Sequence, residues 1–229
     1  MERPEKNEIM RIEKASSLKR YWENIVQSLI LGLPTLFEWI TGGRKNSPTS
    51  TLRATSPRAT SQIYKLAGMG NLNDGDIVVE YGPGPGPLPQ HILRETREDI
   101  KYIAIELNES YAQKLRDSIK DDRLIVVNGS ATEVEEILKN LGINKKVSRV
   151  LSSLPMSRDK EATKEILNAS MRILSEDGAL CMWNFTKTSI DMVVNAFGSE
   201  NCHVTRPFLL GILKIVTAKA AEEQINQAA

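Results

Sequence analysis

From Asp76 onward, short β-branched runs alternate with helical stretches, and this alternation constrains the fold more than any other feature of the chain. The apolar runs are Ile77-Val78-Val79, Tyr102-Ile103-Ala104-Ile105, Leu124-Ile125-Val126-Val127, Val150-Leu151 and Ala179-Leu180-Cys181-Met182-Trp183. Helices are expected between them, near 87–97, 108–120, 131–141 and 158–174. Strands that are apolar at nearly every position have both faces covered, which means a parallel sheet with crossover helices, wound in both directions. The end of the chain departs from this pattern. After a helix expected near 187–197, two runs at 202–206 and 211–217 follow each other with no helix between them. They read as an antiparallel hairpin at the sheet edge.

Composition narrows the classes of function. Lys plus Arg is 30 and Asp plus Glu is 29, a formal charge of +1 that excludes a strongly basic nucleic-acid binder but not a local basic patch. Two cysteines, Cys181 and Cys202, and two distant histidines, His91 and His203, offer neither a disulfide framework nor a metal-ligand cluster. No metal is expected, and a reducing, cytoplasmic setting fits. The most apolar stretch, 25–40, is interrupted by Gln27, Ser28, Pro34, Thr35 and Glu38. It falls short of the roughly 20 apolar residues of a spanning helix. Behind a charged leader and without a small-residue cleavage site, it does not read as a signal peptide either.

Three parts are expected: an N-terminal amphipathic helical segment at 1–43, a basic Ser/Thr-rich linker at 44–57, and a domain at 58–229. Leu18, Tyr21, Trp22, Ile25, Val26, Leu29, Ile30 and Leu33 recur at three- and four-residue spacing, which is one helical face. Tyr21 and Trp22 are aromatics of the kind favoured at lipid headgroups. Arg44, Lys45, Arg53 and Arg58 lie in a stretch without an acid and would attract anionic lipid. A core-covering helix and a solvated linker are the plainer readings of the same residues. Ser56-Pro57 looks like a helix start, with the helix running to about Ala67.

The loop after the first strand is Glu80-Tyr81-Gly82-Pro83-Gly84-Pro85-Gly86-Pro87, and it opens a helix. Such turns in doubly wound sheets meet ligands beyond the carboxyl ends of the strands. Pro83, Pro85 and Pro87 lack the backbone N–H that a phosphate cradle uses. Glu80 just before the glycines repels phosphate and attracts a cation. A ligand carrying an ammonium and a sulfonium, S-adenosylmethionine, suits both facts. Glu106 closes the second strand 20 residues after Gly86, where a carboxylate binds ribose hydroxyls. Asn128-Gly129-Ser130-Ala131 closes the third strand, where adenine is expected, and Ser152-Ser153-Leu154-Pro155 closes the fourth, beside the methyl-donor end.

With EYGPGPG, IAIEL, VVNGSA and LSSLP in this order, followed by a terminal hairpin, the chain resembles the class I S-adenosylmethionine-dependent methyltransferases over about 56–220. The resemblance implies a Rossmann-like, doubly wound seven-stranded sheet. It implies cofactor contacts from Ser56, Glu80, Tyr81, Gly82, Gly84, Gly86, Glu106, Leu107, Gly129, Ser130, Ala131 and Ser152. Within the class the chain is most similar to bacterial phospholipid N-methyltransferases, which methylate phosphatidylethanolamine toward phosphatidylcholine. The TLRATSPRATS segment, SSLPM after the fourth strand and the N-terminal amphipathic helix carry that narrower likeness. It implies a phospholipid partner and peripheral membrane association, with no nucleic acid. The rRNA adenine dimethyltransferases share the glycine-loop style, but Ser153 and Met156 stand where they carry an Asn and an aromatic. Ser130 departs from the class, where an acid is common. RNA and small-molecule methylation remain the alternatives, as does a non-catalytic membrane-binding module. His91 and Tyr81 read as structural, and Trp183 and Asn184 as sheet-end packing or acceptor-pocket lining. The sequence names no general base and leaves the oligomeric state open.

Overall fold

The computed structural model describes residues 57–154, 159–184, 187–205 and 214–219. The N-terminal helical segment, Ser56, Tyr21, Trp22, Arg44, Lys45 and Arg53 lie outside the described residues, as does the side chain of Arg58.

Seven strands form one sheet: β1 (Ile77–Tyr81), β2 (Lys101–Glu106), β3 (Leu124–Asn128), β4 (Val147–Ser152), β5 (Leu174–Asn184), β6 (Cys202–Thr205) and β7 (Lys214–Lys219). Their order is β3-β2-β1-β4-β5-β7-β6. The first five strands pair in parallel, and β7 joins β5 and β6 antiparallel. The expected hairpin is therefore present, with β6 at the edge and β7 inserted between β6 and β5. The helices are α1 (Pro57–Leu66), α2 (Pro87–Glu95), α3 (Glu109–Ser118), α4 (Val134–Asn140), α5 (Lys160–Ile173) and α6 (Lys187–Phe197).

Two apolar layers explain why these segments fold as they do. On one face, Val79, Tyr81, Ile103, Ile105, Val150 and Leu180 pack with Val134 and Ile137 of α4, Ile166 and Leu167 of α5, and Val193 and Phe197 of α6. On the other, Val78, Tyr102, Ala104, Leu151, Cys181 and Trp183 pack with Ile63 of α1 and Leu88 and Ile92 of α2. Alternate residues of each strand thus feed opposite layers, as the pleat requires. Local caps fix the helix starts. Asn108 accepts from the Tyr111 N–H at the start of α3, and Asp159 accepts from the Glu161 and Ala162 N–H groups at the start of α5.

Two expected boundaries differ. The segment 131–141 divides into a 3₁₀ turn at Ala131–Glu133 and then α4, because Ser130 caps the tighter turn by accepting from the Thr132 N–H. β5 begins at Leu174 rather than near Ala179, because Ser175-Glu176-Asp177-Gly178 is taken up in a register irregularity against β4. Those four residues act as a bulge.

Strand order reverses between β1 and β4, so the loops that follow these two strands flank a crevice at the carboxyl end of the sheet. The residues singled out by their chemistry converge on that end.

Candidate cofactor site

The glycine loop closes on itself. The Gly82 N–H donates to Ile105 O at 2.9 Å, the Gly86 N–H to Pro83 O at 3.3 Å, and the Gly84 N–H to Glu106 Oε2 at 2.9 Å. Pro83, Pro85 and Pro87 have no N–H. Every backbone donor from Gly82 to Pro87 is therefore engaged within the chain or missing. Pro89 extends the effect into the first turn of α2, where Leu88 alone of the first three residues carries an N–H. The usual anion site at a helix N-terminus is dismantled here.

Gly82 and Gly86 are required by geometry as well as conformation. Their φ angles are 66° and 87°, a region that side chains with a Cβ rarely enter. A Cβ on Gly82 would lie 2.6 Å from Leu154 Cδ2, and one on Gly86 would run into Leu115 Cδ2 of α3. The loop after β4 thus lies directly over the first glycine. Ser153 fastens it there, its hydroxyl donating to Gly82 O at 2.8 Å.

Two carboxyl groups stand at the tips of adjacent strands. Glu80 is 1% exposed, and its Oε2 accepts from the Tyr102 hydroxyl at 2.6 Å. Burial pushes its carboxyl up to about 8, against the Tyr102 hydrogen bond, and the neighbouring Glu106 charge pushes the same way as burial. Burial and Glu80 in turn hold the Tyr102 phenol well above its ordinary value. Glu106 is 7% exposed, with Oε2 on the Gly84 N–H and Oε1 on the Asn108 N–H at 2.9 Å. A carboxylate has further lone pairs, so Glu106 keeps acceptor capacity toward the crevice. Among the described residues no cationic side chain pairs with either acid.

The other candidates are placed as follows. The Tyr81 ring turns to the opposite layer, where its hydroxyl lies 3.2 Å from Ser170 Oγ of α5, so only its backbone belongs to the loop. Leu107 projects outward at 76% exposure beside Glu106. Asn128 holds this turn from β3, its Nδ2 donating to Glu106 O at 2.9 Å and Leu107 O at 3.1 Å. The Gly129 N–H donates to Glu106 O, Ser130 Oγ lies 2.7 Å from Thr132 Oγ1, and Ala131 is buried. Ser152 is fully buried, and its Oγ accepts from the Leu154 N–H at 3.3 Å. His91 lies away from the loop, bonded to Arg94 and edge-on to Tyr64. Trp183 is 2% exposed in the layer beneath α1, with its indole N–H unpartnered. Shallow hollows lined by Lys146 with Leu174–Asp177, and by Gly75 with Asn144 and Lys145, lie at the opposite end of the strands.

The sequence motifs contain Asn128 and Ser153 but do not show the bonds they make to the neighbouring loops, and Tyr102 stands outside every motif. Tyr102 left a signal, since a tyrosine inside an aliphatic buried strand must find a partner for its hydroxyl.

No family model matches the chain. Among solved structures, the precorrin-6y C5,15-methyltransferase of Geobacter metallireducens superposes with a TM-score of 0.56 at 17% identity, covering 73% of this chain and 90% of that one. An S-adenosylmethionine-dependent O-methyltransferase from Thermotoga maritima gives a TM-score of 0.56 at 14% identity, covering 80% of this chain and 70% of that one. The fold is the class I methyltransferase fold. Two curated relatives show similarity in sequence. One is an ornithine lipid N-methyltransferase of Singulisphaera acidiphila, 29% identical over 104 residues, which are 44% of this chain and 54% of that protein. The other is a ribosomal RNA small subunit methyltransferase A of Phenylobacterium zucineum, 33% identical over 93 residues, which are 40% of this chain and 30% of that protein. The chain therefore spans about half of the first relative and under a third of the second. On this methyltransferase fold the crevice between β1 and β4 becomes a cofactor site to be tested.

Proposed function

We propose that the chain is an S-adenosylmethionine-dependent N-methyltransferase that acts on the amine of a lipid headgroup, with phosphatidylethanolamine and its methylated products as the expected acceptors. One observation carries the cofactor assignment: two buried acids at adjacent strand tips, with no paired cation among the described residues, beside a glycine loop whose backbone donors are all spent. A phosphate finds no free donor in the loop from Gly82 to Pro87, while an ammonium finds carboxyl oxygens with no competing cation among the described residues. The fit extends to the rest of the cofactor. Glu106 retains lone pairs for ribose hydroxyls, and exposed Leu107 offers an apolar surface to adenine beside Gly129, Ser130 and Ala131.

The cofactor supplies an already activated methyl group. The chain's own residues therefore mainly align the reactants and exclude water. Glu80 binds the ammonium end, Glu106 the ribose, and the Ser152–Leu154 turn, clasped to Gly82 through Ser153, walls the side from which the acceptor enters. The lipid acceptor is supported by the likeness to an enzyme named for N-methylation of a lipid, and by the aromatic and basic residues ahead of α1. Among the described residues no helix is long and apolar enough to cross a membrane, so lipid would be met at the bilayer surface. The ribosomal relative keeps an RNA acceptor as the second reading.

The test is transfer of labelled methyl groups from S-adenosylmethionine to vesicles containing phosphatidylethanolamine or ornithine lipid, with ribosomal RNA and vesicles lacking amino-lipid run in parallel. Label in the extracted amino-lipid supports the reading. Label confined to RNA replaces it with the second.

A further inference from the structure

We infer that Tyr102 is a positioning residue for the cofactor's ammonium group, holding one oxygen of Glu80 so that the other takes the cation. This rests on the cofactor assignment above and adds a residue and a proton to it.

The geometry is specific. Across the β1–β2 ladder, Val78 faces Tyr102 and Glu80 faces Ala104. Tyr102 therefore reaches diagonally up the sheet by two residues, on the same layer as Glu80, to place its hydroxyl 2.6 Å from Glu80 Oε2. Both side chains are essentially inaccessible, at 0% and 1% exposure, so neither exchanges this partner for water. Glu80 Oε1 is the oxygen left for a ligand. The charged and titratable groups around Glu80 are Tyr102 and Glu106, both from β2. From α2, His91 turns instead to Arg94 and to Tyr64 of α1. Burial holds the Glu80 carboxyl up at about 8 and no described cation offsets this, so before the cofactor binds it holds a proton near neutral pH.

Binding then has a defined proton balance. The Glu80 O–H bond breaks, its proton passes to the buffer, and the ligand's ammonium keeps its own hydrogens and pairs with the carboxylate. The Tyr102 hydroxyl favours the ionised form because hydrogen bonds to a charged acceptor are the stronger ones. Without that hydroxyl, ionising Glu80 becomes harder and more of the binding energy goes into removing the proton.

Calorimetric titration of the full chain with S-adenosylmethionine at several pH values, in two buffers of different ionisation enthalpy, tests this. For the wild type, close to one proton should be released per cofactor bound at pH 7, and affinity should rise nearly tenfold from pH 6 to pH 7. Tyr102→Phe should lose about tenfold in affinity at pH 7 and recover part of it by pH 8, because its profile is displaced upward. Glu80→Gln should bind weakly with a flat profile, and adding Tyr102→Phe to it should change nothing further. An equal loss at every pH in Tyr102→Phe would reduce Tyr102 to a packing residue and overturn the inference. So would a wild type that binds the cofactor without releasing a proton, a result that needs no variant to fold. If the wild type does not bind S-adenosylmethionine at all, the cofactor assignment itself falls, which separates the two failures.

Discussion

Replacing Glu80 with glutamine should make the folded protein more stable while weakening its cofactor site. The carboxyl of Glu80 stands at about 8 in the folded chain, against 4.5 for an ordinary glutamate. Between those values the unfolded chain has released the proton and the folded chain still holds it. The folded state binds more protons, so stability falls as pH rises through this window, by about 1.4 kcal/mol for each pH unit. Across the window this amounts to roughly 5 kcal/mol, and it is fully felt above pH 8. Glu80→Gln removes that term. The amide still accepts from Tyr102, but its NH₂ group enters the dry pocket unpaired, at a cost of about 1–3 kcal/mol. The net gain at pH 8 should be roughly 2–4 kcal/mol, shrinking to nothing or reversing near pH 5. Urea unfolding of wild type and variant from pH 5 to pH 8.5 measures this directly. A variant that is less stable than wild type at pH 8, or a difference that does not grow with pH, would refute the electrostatic picture of the site. Stability held back at a functional group is a common compromise.

Three further outcomes follow from named contacts. Gly86→Ala combines a strained φ of 87° with a clash against the fully buried Leu115. It should cost about 3 kcal/mol in chemical denaturation, whereas Gly142→Ala, at φ 69° with open space around it, should cost only about 1 kcal/mol. Leu107→Ser should leave unfolding free energy within about 0.5 kcal/mol of wild type, because the side chain is exposed. The same variant should weaken S-adenosylmethionine binding severalfold by calorimetry if that leucine covers the adenine. Asn128→Ala removes two hydrogen bonds to the Glu106–Leu107 turn and should lose about 1–2 kcal/mol of stability, with faster amide exchange at Asn108.

The sheet was legible because its central strands β1, β2 and β4 are buried on both faces, and because each of the first five strands carries an unbroken apolar run. Each of β1 to β5 contains the run that marked it, and the pair of strands at the end was set apart by the missing helix between them. What escaped was set by single side chains acting on the backbone. Ser130 accepts from the Thr132 N–H and tightens 131–133 into a 3₁₀ turn. Gly178 lets the chain approach the Ser175 backbone and begin β5 early. At the candidate site, Glu80, Glu106 and the glycines stand out in the sequence because carboxylates at strand tips are chemically conspicuous, and the structure places them at one end of the sheet. Tyr102 was hidden because it lies near the start of a strand, far from the strand tips, and meets Glu80 diagonally, a relation that depends on strand register and not on spacing along the chain. Of the two adjacent serines only Ser153, just past the end of β4, bonds the glycine loop, while Ser152 turns its hydroxyl to the Leu154 N–H, a choice that spacing along the chain does not reveal.

The place of β7 has a consequence for synthesis. It is the strand that joins β6 to everything else, and it pairs with Ala179–Asn184 of β5 along its whole length. A nascent chain made from the N-terminus can assemble β1 to β5 early. It then waits with the outer border of β5 bare, its amides and carbonyls offered to any passing polypeptide. Completion of the sheet therefore depends on the strand made after all its others, and a ribosome stalled before Lys214 would display a sticky half-product.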